Sequence, residues 1–219
     1  MNLLTLRTSL RQALSDAVDG NHDAAHDLAH ADRVWANART IAHGEGMAPS
    51  AVLICAAYLH DIVSLPKDHP KRARAAGLSA AAAGPVMEAL GLSPNEIAQA
   101  RHAIEAHSWS AGTAPTSPEA KVLRDSDRLE ALGAVGIARC FAVSGALQRP
   151  LFNWADPFAT ERVPDDTAYA LDHFEVKLLK LPETFLTATG RRLAEDRATV
   201  MRRYLADLAK ELGSPPPKW

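Results

Sequence analysis

The sequence predicts an all-α fold, and three observations carry that expectation. Aromatic residues make up only 5% of the 219 residues, runs of β-branched residues are rare, and apolar residues recur three and four positions apart. That spacing is the period of an amphipathic helix, and the abundant Ala and Leu are strong helix formers. With 47% hydrophobic and 23% charged residues, the composition is that of an ordinary globular protein able to bury a sizeable core. No stretch reads as a linker between two cores, so a single domain over residues 1–212 is expected.

The helices follow in order. The first covers Leu3–Val18 and stops near Gly20; the second runs over about 24–42, with "HGEG" as its stop. A third follows the Pro49-Ser50 start signal and reaches His60. The next segment, "VSLPKDHPKRARAAGLS", holds two prolines, a glycine and the cations Lys67, Lys71, Arg72 and Arg74, so it reads as a loop or short helix. A fourth helix is expected at about 79–90. The fifth opens on the capping box Ser93-Pro94-Asn95-Glu96 and runs to about residue 108.

After the loop "SAGTAPTSP", residues 119–147 read as helical, with Gly133, Gly136 and Gly145 permitting close contacts or breaks. The connection "QRPLFNWADPFATERVPDD" is polar, Pro-containing and long enough to be a lid. Helices resume at about 166–181 and 183–212. The tail "GSPPPKW" (213–219) cannot continue a helix and is expected to be disordered.

Charge narrows the function classes. A net charge of −2 and a pI near 6.5 give no basic surplus for a nucleic-acid polymer or a membrane surface, so an anionic substrate must be met by local positive charge. Cys55 and Cys140 sit in apolar segments and read as two small buried hydrophobes rather than a disulfide framework. No segment approaches a membrane span, and a soluble, cytoplasmic protein is expected. A homodimer is left open.

The chemistry gathers in a few segments. In "AVLICAAYLHDIVSLP" an uncharged run from Ala51 to Leu59 ends abruptly in His60 and Asp61. In "NHDAAHDLAHADRVWANA" His22, His26 and His30 are four apart and share a helical face, and His30 sits where the helix turns apolar. "KVLRDSDRLEALGAVGIARCF" adds Asp125 and Asp127, which lie about 200° apart around a helix, so one of the two can face a given site. Imidazoles and carboxylates on facing helices suit a first-row transition metal. His102 and His107, in "RHAIEAHSWS", are further candidates. In "LDHFEVKLLKLP" His173, Lys177 and Lys180 fall on one helical face, where Lys177, with Arg33 or Arg128, would neutralise phosphates.

Taken in this order, "AHDLAHADRVW", "AAYLHDIVSLPKDHP", "AIEAHSWS", "DSDRLEALGAVGIARCFAVSGAL" and "YALDHFEVKLLKLP" resemble the HD-domain metal-dependent phosphohydrolases, in particular small stand-alone bacterial members of the YedJ and YpgQ type. The resemblance spans roughly residues 25–197. It implies a multi-helix HD bundle with its core at about 24–147, C-terminal helices at about 165–212, and a metal site between helices. His30, His60, Asp61 and Asp127 become the ligands of one divalent transition metal of the Mn, Fe or Ni class, with a second metal possible. Asp61, Asp125 and His107 become the catalytic candidates, Asp61 or Asp125 orienting the water. Arg33, Lys67, Arg72, Arg74, Arg128, His173 and Lys177 become the candidate substrate contacts. Ser64 stands where one nucleotidase subgroup places a glutamate, so that subgroup's base does not transfer.

The expected activity is hydrolysis of a small phosphate ester or anhydride, in the first place a nucleotide, nucleoside triphosphates included. Two alternatives use the same helices: an HD-type di-iron oxygenase, and a non-catalytic metal-stabilised nucleotide-binding module.

Overall fold

The computed structural model describes residues 2–18, 28–65, 74–217 and 219. Among them are nine α-helices and no strand. The chain divides into two compact units, Met1–Asp127 and Arg128–Trp219. No single helix among the described residues is long and apolar enough to cross a membrane.

The first unit is built around α3 (Ala51–Leu59), which lies among α1 (Leu3–Val18), α2 (Leu28–Gly44) and α5 (Pro94–His107). Every residue of α3 from Val52 to Leu59 is buried. Ser50 starts it, its hydroxyl accepting from Leu53 N–H at 3.2 Å. The capping box predicted for α5 is complete: Ser93 Oγ accepts from Glu96 N–H, and Glu96 Oε2 accepts from Ser93 N–H at 2.8 Å.

The small side chains of α4 (Ala75–Ala89) pack against α5. This helix begins at Ala75, earlier than the expected 79. Ala75 and Ala76 are strong helix formers, and Ser79 does not serve as a cap. Its buried hydroxyl instead accepts from Val63 N–H at 3.2 Å and donates to Val63 O at 3.3 Å, fastening α4 to the turn after the His60-Asp61 pair.

A polar clamp joins α1, α2 and α3. Asp32 accepts from Arg7 Nη2 at 2.9 Å, from Arg11 Nη1, and from the buried Tyr58 hydroxyl at 2.5 Å. Tyr58 in turn accepts from Arg7 Nε at 2.8 Å. Asp32 is two positions from His30 and Tyr58 two from His60, so the clamp sets the relation between the helices that carry both histidines.

The stretch expected to be helical over 119–147, with glycines permitting breaks, does break. It forms α6 (Pro118–Arg128), a 3₁₀ turn (Leu129–Ala131) and α7 (Gly133–Ala146), with Leu132 extended and Gly133 at φ +70°. Gly136 makes the break possible, because a Cβ there would lie 2.3 Å from Ala131 O. Gly136→Ala should therefore cost the second unit at least the ~1–3 kcal/mol typical of overpacking, since a backbone carbonyl cannot rotate aside. The shift of its urea midpoint measures this, and an unchanged midpoint would mean the turn relaxes freely.

The second unit packs α7 against α9 (Ala188–Glu211). Arg197 on α9 donates to Leu129 O at 2.6 Å and stands 3.8 Å from the buried Glu130, fixing the 3₁₀ turn. The helix expected over 166–181 is mostly absent, leaving α8 (Asp172–Val176) and a 3₁₀ turn (Leu178–Thr184). Ala170 and Leu171 give their N–H groups to Pro150 O and Leu151 O, and Asp165 N–H goes to the buried Asp172 carboxylate, so helical pairing is lost. α9 starts later than the expected 183. The Thr187 hydroxyl, accepting from Gly190 N–H at 3.0 Å, sets its start.

The connection over 150–164 is tied internally. Asp156 accepts from the N–H groups of Thr160 and Glu161, and Arg162 pairs with Asp172. At the chain end, the Trp219 indole donates to Phe158 O at 3.1 Å.

Candidate metal centre

α3 releases its last residue, Leu59, into a turn that presents His60 and then Asp61. An apolar helix buried on all sides has little freedom to rotate, so the two side chains leave it in fixed directions. His60 is 1% exposed, and its Nδ1–H donates to Ala57 O at 2.9 Å. That bond fixes the tautomer and turns Nε2 inward, the arrangement metal-binding histidines favour. His107, at the end of α5, repeats it: Nδ1–H donates to Ile104 O at 2.6 Å.

The inward atoms converge. His60 Nε2 lies 3.3 Å from His30 Nε2 on α2, 3.4 Å from Asp61 Oδ2 and 3.8 Å from Asp127 Oδ1 on α6. His30 Nε2 is 3.5 Å from Asp127 Oδ1, and His107 Nε2 is 3.6 Å from Asp61 Oδ1. Ligand bonds of about 2.1 Å place neighbouring donors about 3.0–3.4 Å apart, close to these separations. The donors form two groups sharing His60: His30, His60 and Asp127, and His60, Asp61 and His107. Opposed ring nitrogens beside two carboxylates call for a positive charge between them, so the residues fit a cation.

A scan against family models matches the HD domain over residues 27–132. This stretch contains all five donors. YpgQ of Bacillus subtilis is 40% identical over 98 residues, a stretch covering 45% of this chain and 42% of YpgQ. Over whole chains, the crystal structure of B. subtilis YpgQ in complex with ADP superposes with a TM-score of 0.73 at 31% identity, covering 95% of both. The crystal structure of an HD-superfamily hydrolase from Bacillus thuringiensis gives a TM-score of 0.74 at 26% identity, covering 97% of this chain and 98% of that one. The chain belongs to the HD-domain family.

In this HD-domain protein the electrostatics of the clustered donors favour a positive charge among them. Burial disfavours an imidazolium at His60, but Asp61 and Asp127 outweigh burial and push its pKa up to about 9. Burial alone would raise the Asp127 carboxyl, yet the His60 imidazolium beside it holds it well below the usual carboxylate range. Burial, reinforced by the charge on His60, lowers His107.

The sign of the resulting pH dependence follows. With a folded pKa of about 9 against an ordinary 6.5, protonated His60 stabilises the metal-free protein fully below about pH 6.5, and that contribution is lost as pH rises through about 9. Metal uptake must displace the proton, so between those values affinity should climb with pH and each ion should release a proton. Calorimetry in buffers of different ionisation enthalpy checks this. Affinity independent of pH across the window would remove His60 from the ligand set.

The remaining candidates scatter. Asp125 is wholly buried and belongs to neither donor group. Arg33 is half-buried on α2. Arg74, just before α4, is exposed and lines a cavity of about 350 Å³ with Leu78, Glu105, Ala111 and Thr113. Lys67, Arg72, His22 and His26 lie outside the described residues. His102 faces Thr116, its Nε2 accepting from the Thr116 N–H at 3.3 Å.

In the second unit, Arg128 Nη1 donates to Thr184 O and Oγ1 at 3.1 and 2.8 Å. His173 Nδ1–H donates to Asp166 Oδ2 at 2.7 Å. The common helical face expected for His173, Lys177 and Lys180 does not form, because α8 ends at Val176 and Lys177 leaves helical geometry at φ −135°. The three fall on two elements with a break between them.

Sequence reasoning passed over Arg124. It is 7% exposed, and its guanidinium stacks on the Trp109 indole with Cζ 4.9 Å from the ring centroid. Burial lowers its pKa and Asp125 opposes that. Such stacking contributes about 0.5–2 kcal/mol. A buried donor without an acceptor costs about 1–3 kcal/mol, more when charged. Arg124 Nε has no acceptor among the described residues. The signal available in the sequence was its spacing, three positions before Asp127.

Proposed function

We propose that this HD-domain protein is a metal-dependent phosphohydrolase of small phosphate esters or anhydrides, with nucleotides as the favoured class. The convergence of His30, His60, Asp61 and Asp127 at separations of 3.3–3.8 Å carries the reading. The ADP complex of YpgQ supports the choice of nucleotides. A divalent transition metal of the Mn, Fe or Ni class held there would supply Lewis acidity toward a phosphoryl oxygen and acidify a water.

The chain's own contribution is placement. His60 offers Nε2 because Ala57 O holds its other nitrogen, and Asp61, one residue on, turns one carboxylate oxygen toward His60 and the other toward His107. His107 thereby positions Asp61. Asp125 is wholly buried two positions before Asp127 on α6 and takes the water-orienting role.

The second donor group, His60, Asp61 and His107, leaves room for a second ion and with it for the di-iron oxygenase reading. One experiment separates the readings: purified protein with Mn²⁺ is offered a panel of nucleotides and sugar phosphates in anaerobic buffer. Chelator-sensitive phosphate release from a nucleotide is expected. Turnover that appears only when Fe²⁺ and oxygen replace Mn²⁺ and the anaerobic buffer would favour the oxygenase, and ADP binding without turnover under either condition would favour the binding module.

A further inference from the structure

Arg124 is a buried cation that the metal centre does not consume. Its guanidinium lies over an aromatic face, and its Nε finds no acceptor among the described residues, so its hydrogen-bonding capacity exceeds what the fold uses. Stacking on an indole leaves a guanidinium's N–H edge free to pair, and that edge matches the oxygens of a phosphoryl group bidentately.

Its position is specific. On α6, Arg124 and Asp127 are three residues apart and so neighbours on one helical face, and Asp127 Oδ1 is 3.5 Å from His30 Nε2. Trp109 follows two residues beyond His107, whose Nε2 is 3.6 Å from Asp61 Oδ1. The guanidinium thus lies on the helix that carries Asp127, and its indole on the short turn that directly follows the helix ending in His107. In a chain of net charge −2, a phosphorylated substrate nearing two carboxylates needs a local cation. Trp109 is 72% exposed, so this pair reaches from the buried interior to the surface.

We propose that Arg124, stacked on Trp109, is the residue that binds the substrate's phosphoryl group beside the metal centre. This deepens the phosphohydrolase reading and rests on it. The guanidinium neutralises the phosphoryl oxygens and the indole fixes the plane in which it does so.

The test uses inorganic phosphate as the probe on the Mn²⁺-loaded full chain, with binding read by calorimetry. Arg124→Gln should weaken phosphate binding at least tenfold, and Arg124→Lys, which keeps the charge without the fork, by less. Mn²⁺ affinity should stay at the wild-type value in both, and both variants should remain folded at the assay temperature. Phosphate should also change the tryptophan emission of the wild type, and Trp109→Phe should abolish that change.

Equal phosphate affinity in wild type and Arg124→Gln, or no phosphate binding by the wild type, overturns the proposal. The two readings fail separately. Nucleotide hydrolysis with a Michaelis constant indifferent to Arg124→Gln removes this inference alone, whereas Arg124-dependent phosphate binding without hydrolysis of any nucleotide removes the phosphohydrolase reading alone.

Discussion

Asp61→Ala and His60→Ala are each expected to strip the protein of most bound metal and of nearly all activity while its helical content stays intact. The loss should exceed the roughly 10–100-fold that removing an outer partner costs at a metal site, because these are the donors themselves. His60 Nε2 lies within 3.8 Å of three other donors, so no neighbour can replace it. Asp61 is the acid that both His60 and His107 face. Asp61 lies beyond α3, which ends at Leu59, and His60 touches that helix only through Ala57 O, so circular dichroism should change little. Metal analysis of the purified variants decides the matter, and full occupancy in Asp61→Ala would remove that residue from the ligand set.

Asp127→Ala should abolish metal binding, whereas Asp125→Ala should leave the ion in place and lower turnover. The two acids differ in what surrounds them. Asp127 reaches His30 and His60 at 3.5 and 3.8 Å, while Asp125 is wholly buried and outside both donor groups. Loss of Asp127 also leaves His60 with one carboxylate instead of two, so the metal-free Asp127→Ala protein should hold its proton less tightly. Because Asp125 is fully enclosed, Asp125→Asn belongs beside the alanine variant to separate loss of charge from loss of packing. The reverse pattern of metal loss would exchange the two roles.

Features set by neighbours in sequence were legible in advance. Ser50 and the Ser93–Glu96 box announce their helices because a cap is made within one turn. The break near Gly133 was readable as a permission, since glycine allows it, but not as a fact: the close approach of Gly136 to Ala131 O depends on the fold of the turn. The region after Tyr169 was not legible. Its N–H groups pair with Pro150 and Leu151, and nothing local in "YALDHF" reports partners that far away.

The donor set divides in the same way. His60 and Asp61 stand out where an uncharged run stops, and the family resemblance supplied His30 and Asp127. The burial of Arg124 could not be read, because an arginine in "VLRDSD" looks like a solvated charge until Trp109 is laid against it.

The clamp on Asp32 bears on where the working unit begins. The stretch that matches the family starts at residue 27, yet the cations opposing Asp32 are Arg7 and Arg11, on a helix that precedes it. A polypeptide begun at residue 27 would inherit every donor atom and lose the brace that sets the register of α2 against α3, leaving the Asp32 carboxylate to the Tyr58 hydroxyl. The identity of the donor side chains travels with the recognisable segment; their spacing is braced by a helix outside it.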